Sequence, residues 1–258
     1  EKSGLPAGPA NGAHPPLPGW SGSAAYLRVR DVPARVMNIN ADGRRTSGPV
    51  QGFGRLWEKR YRMRLHDADL QPRQIVSLWR SEFPQFWPAG NRLYTDGNAP
   101  VAPGASALLN LALPGGPVLA TGLMVIYADD TSFAFMTAEG HILSGWITFR
   151  CFHIDGATFL EIHPLFRAAD PLMELGLRLG GGGQEDRFWR ETLGNLARRL
   201  GTCGDFAQRD ILVDPRIQWH RLANLRHNSV IRSFLHMPLY MLKKSIPAKR
   251  CWNRQGRP

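Results

Sequence analysis

Cysteine is scarce in this chain of 258 residues: Cys151, Cys203 and Cys251 are the only three. An odd number of widely spaced thiols offers no disulfide framework, and the lack of close pairs removes the usual zinc pattern. A reducing, cytoplasmic compartment is the expectation. Long apolar runs are missing too; the longest, residues 123–128, is far short of the roughly 20 residues that span a bilayer. No basic stretch followed by an apolar core opens the chain, so no signal peptide is expected. The eight histidines include no H-x-x-H, H-x-x-x-H or H-E-x-x-H spacing, and G-x-S-x-G is absent. No metal, cofactor or catalytic residue is therefore assigned. Acidic residues are lacking in one region only. Residues 215–258 hold ten basic side chains and no Asp or Glu, whereas residues 1–214 hold 22 basic and 21 acidic ones. The body is nearly neutral and the tail carries most of the formal charge of +11. That distribution argues against nucleic-acid binding by the whole body.

What is present reads as a globular protein, with 43% hydrophobic and 21% charged residues. Residues 1–25 contain five prolines among glycines and bury too little apolar surface to offset their ordering entropy, so a flexible leader is expected. The glycines at 48, 52 and 54 precede a strand instead of joining a strand to a helix, which is a turn and not a dinucleotide fingerprint. Residues 56–65 alternate, with Trp57, Tyr61, Met63 and Leu65 against Glu58, Arg60, Arg62 and Arg64. A helix follows Asp69 and Pro72, with Ile75, Val76, Trp79 and Phe83 as its apolar face, and Pro84 and Pro88 end it. Residues 91–165 then read as strands separated by the turn pairs Gly115-Gly116, Asp129-Asp130, Glu139-Gly140 and Asp155-Gly156. Asp170-Pro171 opens a helix, glycines 180–183 interrupt it, and residues 184–200 resume it with a stripe of Phe188, Trp189, Leu193, Leu196 and Leu200. Glu185 and Asp186 at that restart would repel a phosphate, so the glycine run reads as a hinge.

Strand, helix, antiparallel meander and long final helix make an α+β helix-grip arrangement. The curved antiparallel sheet wraps a long C-terminal helix, with extensions at both ends. The run Phe135-Met136-Thr137-Ala138-Glu139-Gly140-His141, then Gly145-Trp146-Ile147-Thr148-Phe149, resembles a signature of an uncharacterised bacterial branch of the START-like (SRPBCC) superfamily. The resemblance covers roughly residues 50–200. It divides the chain into a leader and turn-rich segment (1–49), a helix-grip domain (50–200) and a basic extension (201–258). It also implies a cavity for apolar molecules, without fixing whether they are carried or transformed.

Two-residue turns allow strands to be paired by arithmetic. Around Asp155-Gly156, Phe152 faces Phe159, Arg150 faces Glu161 and Thr148 faces His163. Extending the rule through the earlier turns puts Phe133, Phe135 and Trp146 on the Arg150 face. Both faces come out apolar, so either bulges shift the register or the outer face is covered too, by residues 26–54 or 201–240. The cavity is thus expected to be lined by Phe133, Phe135, Trp146 and Trp189, with Arg150, Glu161 and His163 as its polar cluster. The plainer reading of that cluster is a cross-strand ion pair worth about 0.2–1 kcal/mol. His141 reads as a hairpin-turn residue. In the tail, a helix with Trp219, Leu222 and Leu225 should dock on the domain, followed by a free basic end. The leading expectation is a protein that binds a small hydrophobic or amphipathic ligand. A cyclase or hydratase using Arg150, Glu161 or His163 is the alternative. A third is an adaptor whose basic tail touches anionic membrane or nucleic acid.

Overall fold

The computed structural model describes residues 19–22, 25–29, 36, 38–66, 70–95, 101–112 and 118–245. The leader up to residue 18, Asp69, the Gly115-Gly116 turn and the basic end beyond residue 245 lie outside the described residues. The described chain builds one antiparallel sheet. Its strands are β1 (Thr46–Ser47), β2 (Leu56–Leu65), β3 (Arg92–Thr95), β4 (Ser106–Ala112), β5 (Val118–Ala128), β6 (Ser132–Ala138), β7 (Leu143–Ile154), β8 (Ala157–Ala168) and β9 (Gly204–Asp214). They lie in the order β3-β4-β5-β6-β7-β8-β2-β9, with β1 paired to β6. Helix α1 (Pro72–Ser81) leads into a short 3-10 turn, Phe83–Phe86. Helices α2 (Pro171–Gly176) and α3 (Gly182–Arg199) are separated by a kink at Leu179 and Gly180, the hinge expected from the glycine run. Helix α4 (Ser229–Ser245) follows a 3-10 segment, Trp219–His227. The architecture is the expected α+β helix-grip, a long helix held against a curved sheet.

The β7–β8 hairpin has the arithmetic register: Phe152↔Phe159, Arg150↔Glu161 and Thr148↔His163. Asp155 and Gly156 both have positive φ (49° and 74°), as a tight primed turn requires. The β6–β7 connection differs from expectation. It is not a two-residue turn at Glu139-Gly140; it runs over residues 139–142, and Ser132 pairs with Arg150, Phe133 with Phe149 and Phe135 with Ile147. The partner sum changes by an odd number, which moves every side chain of one strand to the other face. A second irregularity, a bulge between Val125 and Tyr127, offsets β5 against β6. Phe133, Phe135 and Phe149 therefore share the concave face, while Trp146, Thr148 and Arg150 take the convex one.

The concave core joins Tyr61, Met63, Leu109, Leu123 and Val125 to Trp79, Phe83, Leu193 and Leu196 from the helical layer. Phe133 stacks on Phe149 at 4.9 Å, and Trp79 meets both rings edge-on. Asp170 caps α2 by accepting from the Met173 N–H at 3.0 Å, and it also accepts from Asn228 Nδ2 at 2.7 Å. One carboxylate thus ties the helix start to the C-terminal segment.

The convex face is covered by segments flanking residues 50–200. Leu27, Val29 and Ala41 pack on Leu108, Met124 and Ala138. Asn40 Nδ2 donates to the Ala120 carbonyl (2.9 Å), the Ser229 carbonyl (3.2 Å) and Ser233 Oγ (3.2 Å), so α4 and the N-terminal segment meet on β5. Further along, Gln218 N donates to the Phe53 carbonyl at 2.8 Å, and Trp219 meets the Phe53 ring edge-on. A Cβ at Gly122 would stand 2.5 Å from Leu27 and 2.8 Å from the Ala41 Cβ. Gly122→Val is therefore expected to cost about 1–3 kcal/mol in urea unfolding by prising this cover from the sheet. A loss below measurement error would mean that the cover contributes little. Among the described residues no helix is long and apolar enough to cross a membrane.

Candidate functional site

Between the concave sheet and α3 lies a cavity of about 480 Å³. Its sheet side is formed by Leu109, Leu111, Leu123, Phe135, Ile147 and Phe149, its helical side by Phe83, Trp87, Phe188 and Trp189. Inward positions on neighbouring strands bring these apolar groups to one surface. The α3 stripe supplies Phe188 and Trp189, whose rings meet edge-on at 4.7 Å. Trp189 also meets Phe149 at 5.7 Å, and Phe188 meets Trp87 at 5.2 Å. The walls are thus rigid aromatic surfaces with little rotamer freedom to lose on binding.

Polar groups enter this lining at a few points. The Trp87 indole N–H is buried without a hydrogen-bond partner among the described residues, so it is an unused donor in the wall. At the β6–β7 end, Thr137 Oγ1 donates to the Ser47 carbonyl at 2.9 Å and accepts from Gly145 N at 3.1 Å. A Cβ at Gly145 would lie 2.2 Å from the Leu165 carbonyl oxygen, which is why this position excludes a side chain. His141, also lining the cavity, has Nδ1 3.0 Å from the Leu143 N–H. Burial pushes its pKa down to about 4, against a smaller upward pull from the Leu143 backbone, so the ring is neutral at physiological pH. The residues that carry the family-like signature thus hold a loop and wall one end of the cavity.

At the other end Glu185 enters the lining, backed by an ion cluster around Lys59 that lies outside the lining. On β2 Lys59 occupies inward parity with Tyr61 and Met63, and only 6% of it is exposed. Its Nζ lies 2.6 Å from Asp186 Oδ1, 3.3 Å from Glu185 Oε2 and 3.8 Å from Asp210 Oδ2. Tyr61 Oη donates to Asp186 Oδ1 at 2.7 Å. Burial opposes the Lys59 charge, but the carboxylates outweigh it and raise the ammonium pKa. Burial likewise opposes the Asp186 charge, yet hydrogen bonds from Lys59 and Tyr61 prevail and hold it below the usual carboxylate range. Glu185 faces the cavity and differs. Burial dominates there and, despite Lys59, lifts its pKa to about 7. A carboxyl poised between charged and neutral forms near physiological pH is suited to giving or taking a proton.

The expected site residues divide between the two faces. Phe135 and Trp189 line the cavity, and Trp146 borders it from a convex-face position. Phe133 is fully buried in the core behind the wall. Arg150, Glu161 and His163 stand on the convex face, away from the cavity, so the expectation that Arg150 anchors an acidic ligand inside it is corrected. The cause is the odd register step at residues 139–142. Glu161 is buried between two guanidiniums: Arg150 Nε donates at 2.6 Å and Arg62 Nε, from β2, at 2.9 Å. Burial works to raise the Glu161 pKa, but the two arginines overcome it and keep the carboxylate ionised. His163 does not join this pair; its Nε2 lies 3.0 Å from Glu58 Oε1. The cluster is a cross-strand charge layer. Among the described residues no group of three or more His, Cys, Asp or Glu is placed to hold a metal ion.

Lys59, Glu185, Trp87, Thr137 and His141 were not assigned from sequence. One signal was available: Lys59 interrupts the inward series Trp57, Tyr61, Met63 and Leu65. A lysine at inward parity announces a buried partner acid.

No protein-family profile and no curated protein matches the chain. Solved structures do resemble it. The di-domain ARO/CYC StfQ from the steffimycin biosynthetic pathway is 12% identical with a TM-score of 0.44, and the likeness covers 57% of this chain and 52% of that one. The chain therefore matches about half the length of that protein. A protein from Rhizobium leguminosarum is 17% identical (TM-score 0.39; 56% of this chain, 96% of that one). One from Chromobacterium violaceum is 15% identical (TM-score 0.36; 55% and 97%).

Proposed function

We propose that the protein binds a small hydrophobic or amphipathic molecule, aromatic or lipid-like, in the cavity between the sheet and α3. The observation that carries this reading is the aromatic enclosure itself, about 480 Å³ with an unpaired Trp87 N–H in its wall. Such dimensions suit a ligand of drug-like size. The apolar part of the ligand lies against Phe135, Phe149 and Trp189. An acceptor atom meets Trp87, and a polar head approaches Glu185.

Leu111 lines the cavity and is only partly buried, so a larger side chain there fills space without displacing core. Leu111→Trp is expected to weaken binding of 1-anilinonaphthalene-8-sulfonate at least tenfold, the scale of occluding a single apolar site. Its urea midpoint should stay near that of the parent. Native mass spectrometry of the purified full chain should show a copurifying molecule that the variant lacks. Equal probe affinity in both proteins, with no copurifying mass in either, rejects the reading.

Glu185 favours a second reading, an enzyme that moves a proton on the bound molecule. This residue lines the cavity, and burial lifts its carboxyl pKa to about 7. A mass change in the copurified molecule on incubation, abolished by Glu185→Gln while binding persists, distinguishes turnover from carriage.

A further inference from the structure

A second pocket, open and of about 570 Å³, lies on the convex side where the N-terminal segment, the β6–β7 connection and the C-terminal segment converge. It collects Arg44, Arg45, Arg226, Arg232 and His227, against the carboxylates of Asp42 and Glu139. Two chain segments distant in sequence supply these cations, and a third, the β6–β7 connection, supplies Glu139, so the charge is assembled by the fold.

The cations are incompletely paired. Arg45 is engaged with Tyr26: its Nε donates to the phenol oxygen at 3.0 Å and its guanidinium lies over the ring. Asp42 accepts from the Val29 N–H at 3.1 Å through one oxygen and, among the described residues, makes no salt bridge with an arginine. That leaves Arg44, Arg226 and Arg232 around one imidazole. Arg226 Nε faces His227 Nε2 at 2.9 Å, and Arg44 Nη1 faces His227 Nδ1 at 3.4 Å. A neutral imidazole accepts at one nitrogen only, so it cannot satisfy both guanidiniums. Glu139 is the nearby acid, 3.9 Å from Arg44 and 3.6 Å from His227, and it is partly exposed. Arg232 donates to Asn40 Oδ1 and the Ile39 carbonyl, both neutral acceptors. It also sits in the first turn of α4, where the helix dipole is positive and a cation is unfavourable. Burial, with Arg44 beside it, lowers the Arg232 pKa; burial likewise lowers that of His227, with the neighbouring arginines adding to it and Glu139 opposing.

We infer that this pocket binds a phosphate monoester or inorganic phosphate, whose oxygens take the N–H groups that His227 cannot accept. Guanidinium forks match phosphate geometry, and a dianion offsets the surplus charge of Arg44, Arg226 and Arg232 together. The site is separate from the apolar cavity and does not depend on its occupant.

Titration of the full chain with inorganic phosphate, at ionic strength fixed with sodium chloride, is expected to reveal one saturable site. The thermal midpoint should rise with phosphate, as for any ligand that binds the folded state alone. Arg44→Ala and the exposed Arg226→Ala should each weaken binding roughly tenfold or more, the scale of one charge-assisted hydrogen bond. Arg73→Ala, remote from the pocket, serves as control. A parallel arm uses phosphatidylcholine vesicles with and without phosphatidic acid. Binding to these vesicles alone, lost in both pocket variants, identifies a lipid headgroup as the source of the phosphate. Binding to neither probe overturns the inference. So does binding that both pocket variants retain, which would place the charge effect elsewhere in the basic chain.

Discussion

Lys59→Met is expected to destabilise the protein by about 3–5 kcal/mol at pH 8, the largest single-residue effect foreseen here, because it removes a buried cation and leaves the partly buried Glu185 and Asp186 without their counter-ion. Lys59 is the cation that Glu185, Asp186 and Asp210 share. Methionine fills much of the space left by the aliphatic stem, so lost packing accounts for a minor part. Most of the deficit is electrostatic and therefore depends on pH. Glu185 already has a pKa near 7 with Lys59 present, and removal of the lysine raises it further. Its proton then relieves the repulsion as pH falls. Urea unfolding at pH 8 and pH 6 should show the gap between variant and parent narrowing. Glu185→Gln in the Lys59→Met background should recover part of the loss at pH 8 and little at pH 6. A deficit below about 1 kcal/mol, unchanged with pH, would show that water already solvates this cluster.

The contrast between the two hairpins explains which parts of the fold were legible. At Asp155-Gly156 the sequence specifies a two-residue turn through local backbone preference, so the Arg150–Glu161 pairing could be read directly. At Glu139-Gly140 the same local signal misleads. The connection extends to residue 142 because His141 folds back on Leu143 and Gly140 takes a φ of 85°. That arrangement depends on burial of the imidazole among distant strands, which no dipeptide preference encodes. The β5 bulge is of the same kind. A single odd register step then carried Arg150, Glu161 and His163 onto the wrong face, although Arg150 and Glu161 were correctly paired.

The site was less legible than the sheet for a related reason. Glu185 reads in sequence as a charge at a helix start, which is ordinary and solvated. Its unusual position comes from Lys59, on the opposite side of the chain's topology. The aromatic lining was partly visible because Trp189 and Phe135 follow from helix and strand periodicity. Covering of the convex face was visible too, since apolar residues on both faces of an antiparallel sheet demand a second layer. The Arg44–Arg226–Arg232 cluster was not, since only the docked terminal segments bring it together.

Acidification should remove about 3 kcal/mol of stability through His141 alone. The ring is buried with a pKa near 4, whereas an unfolded histidine titrates near 6.5, and about 2.5 pH units of difference correspond to that energy. The sign follows from proton uptake: the unfolded chain binds the proton first as pH falls. The contribution is therefore complete above about pH 6.5 and is lost progressively toward pH 4. Neutral Nδ1 faces the Leu143 N–H at 3.0 Å and the Leu143 carbonyl oxygen at 3.1 Å. Protonation forfeits the first bond, and the carbonyl compensates only in part for charging a buried ring. His141→Asn places an oxygen where Nδ1 accepts, retaining the Leu143 bond without a titrating group. Urea unfolding between pH 7 and pH 4.5 should show the parent losing markedly more stability than the variant. Parallel curves would mean that His141 opens to solvent before it is protonated, and that the β6–β7 connection, together with the cavity wall it forms, is the least stable part of the sheet.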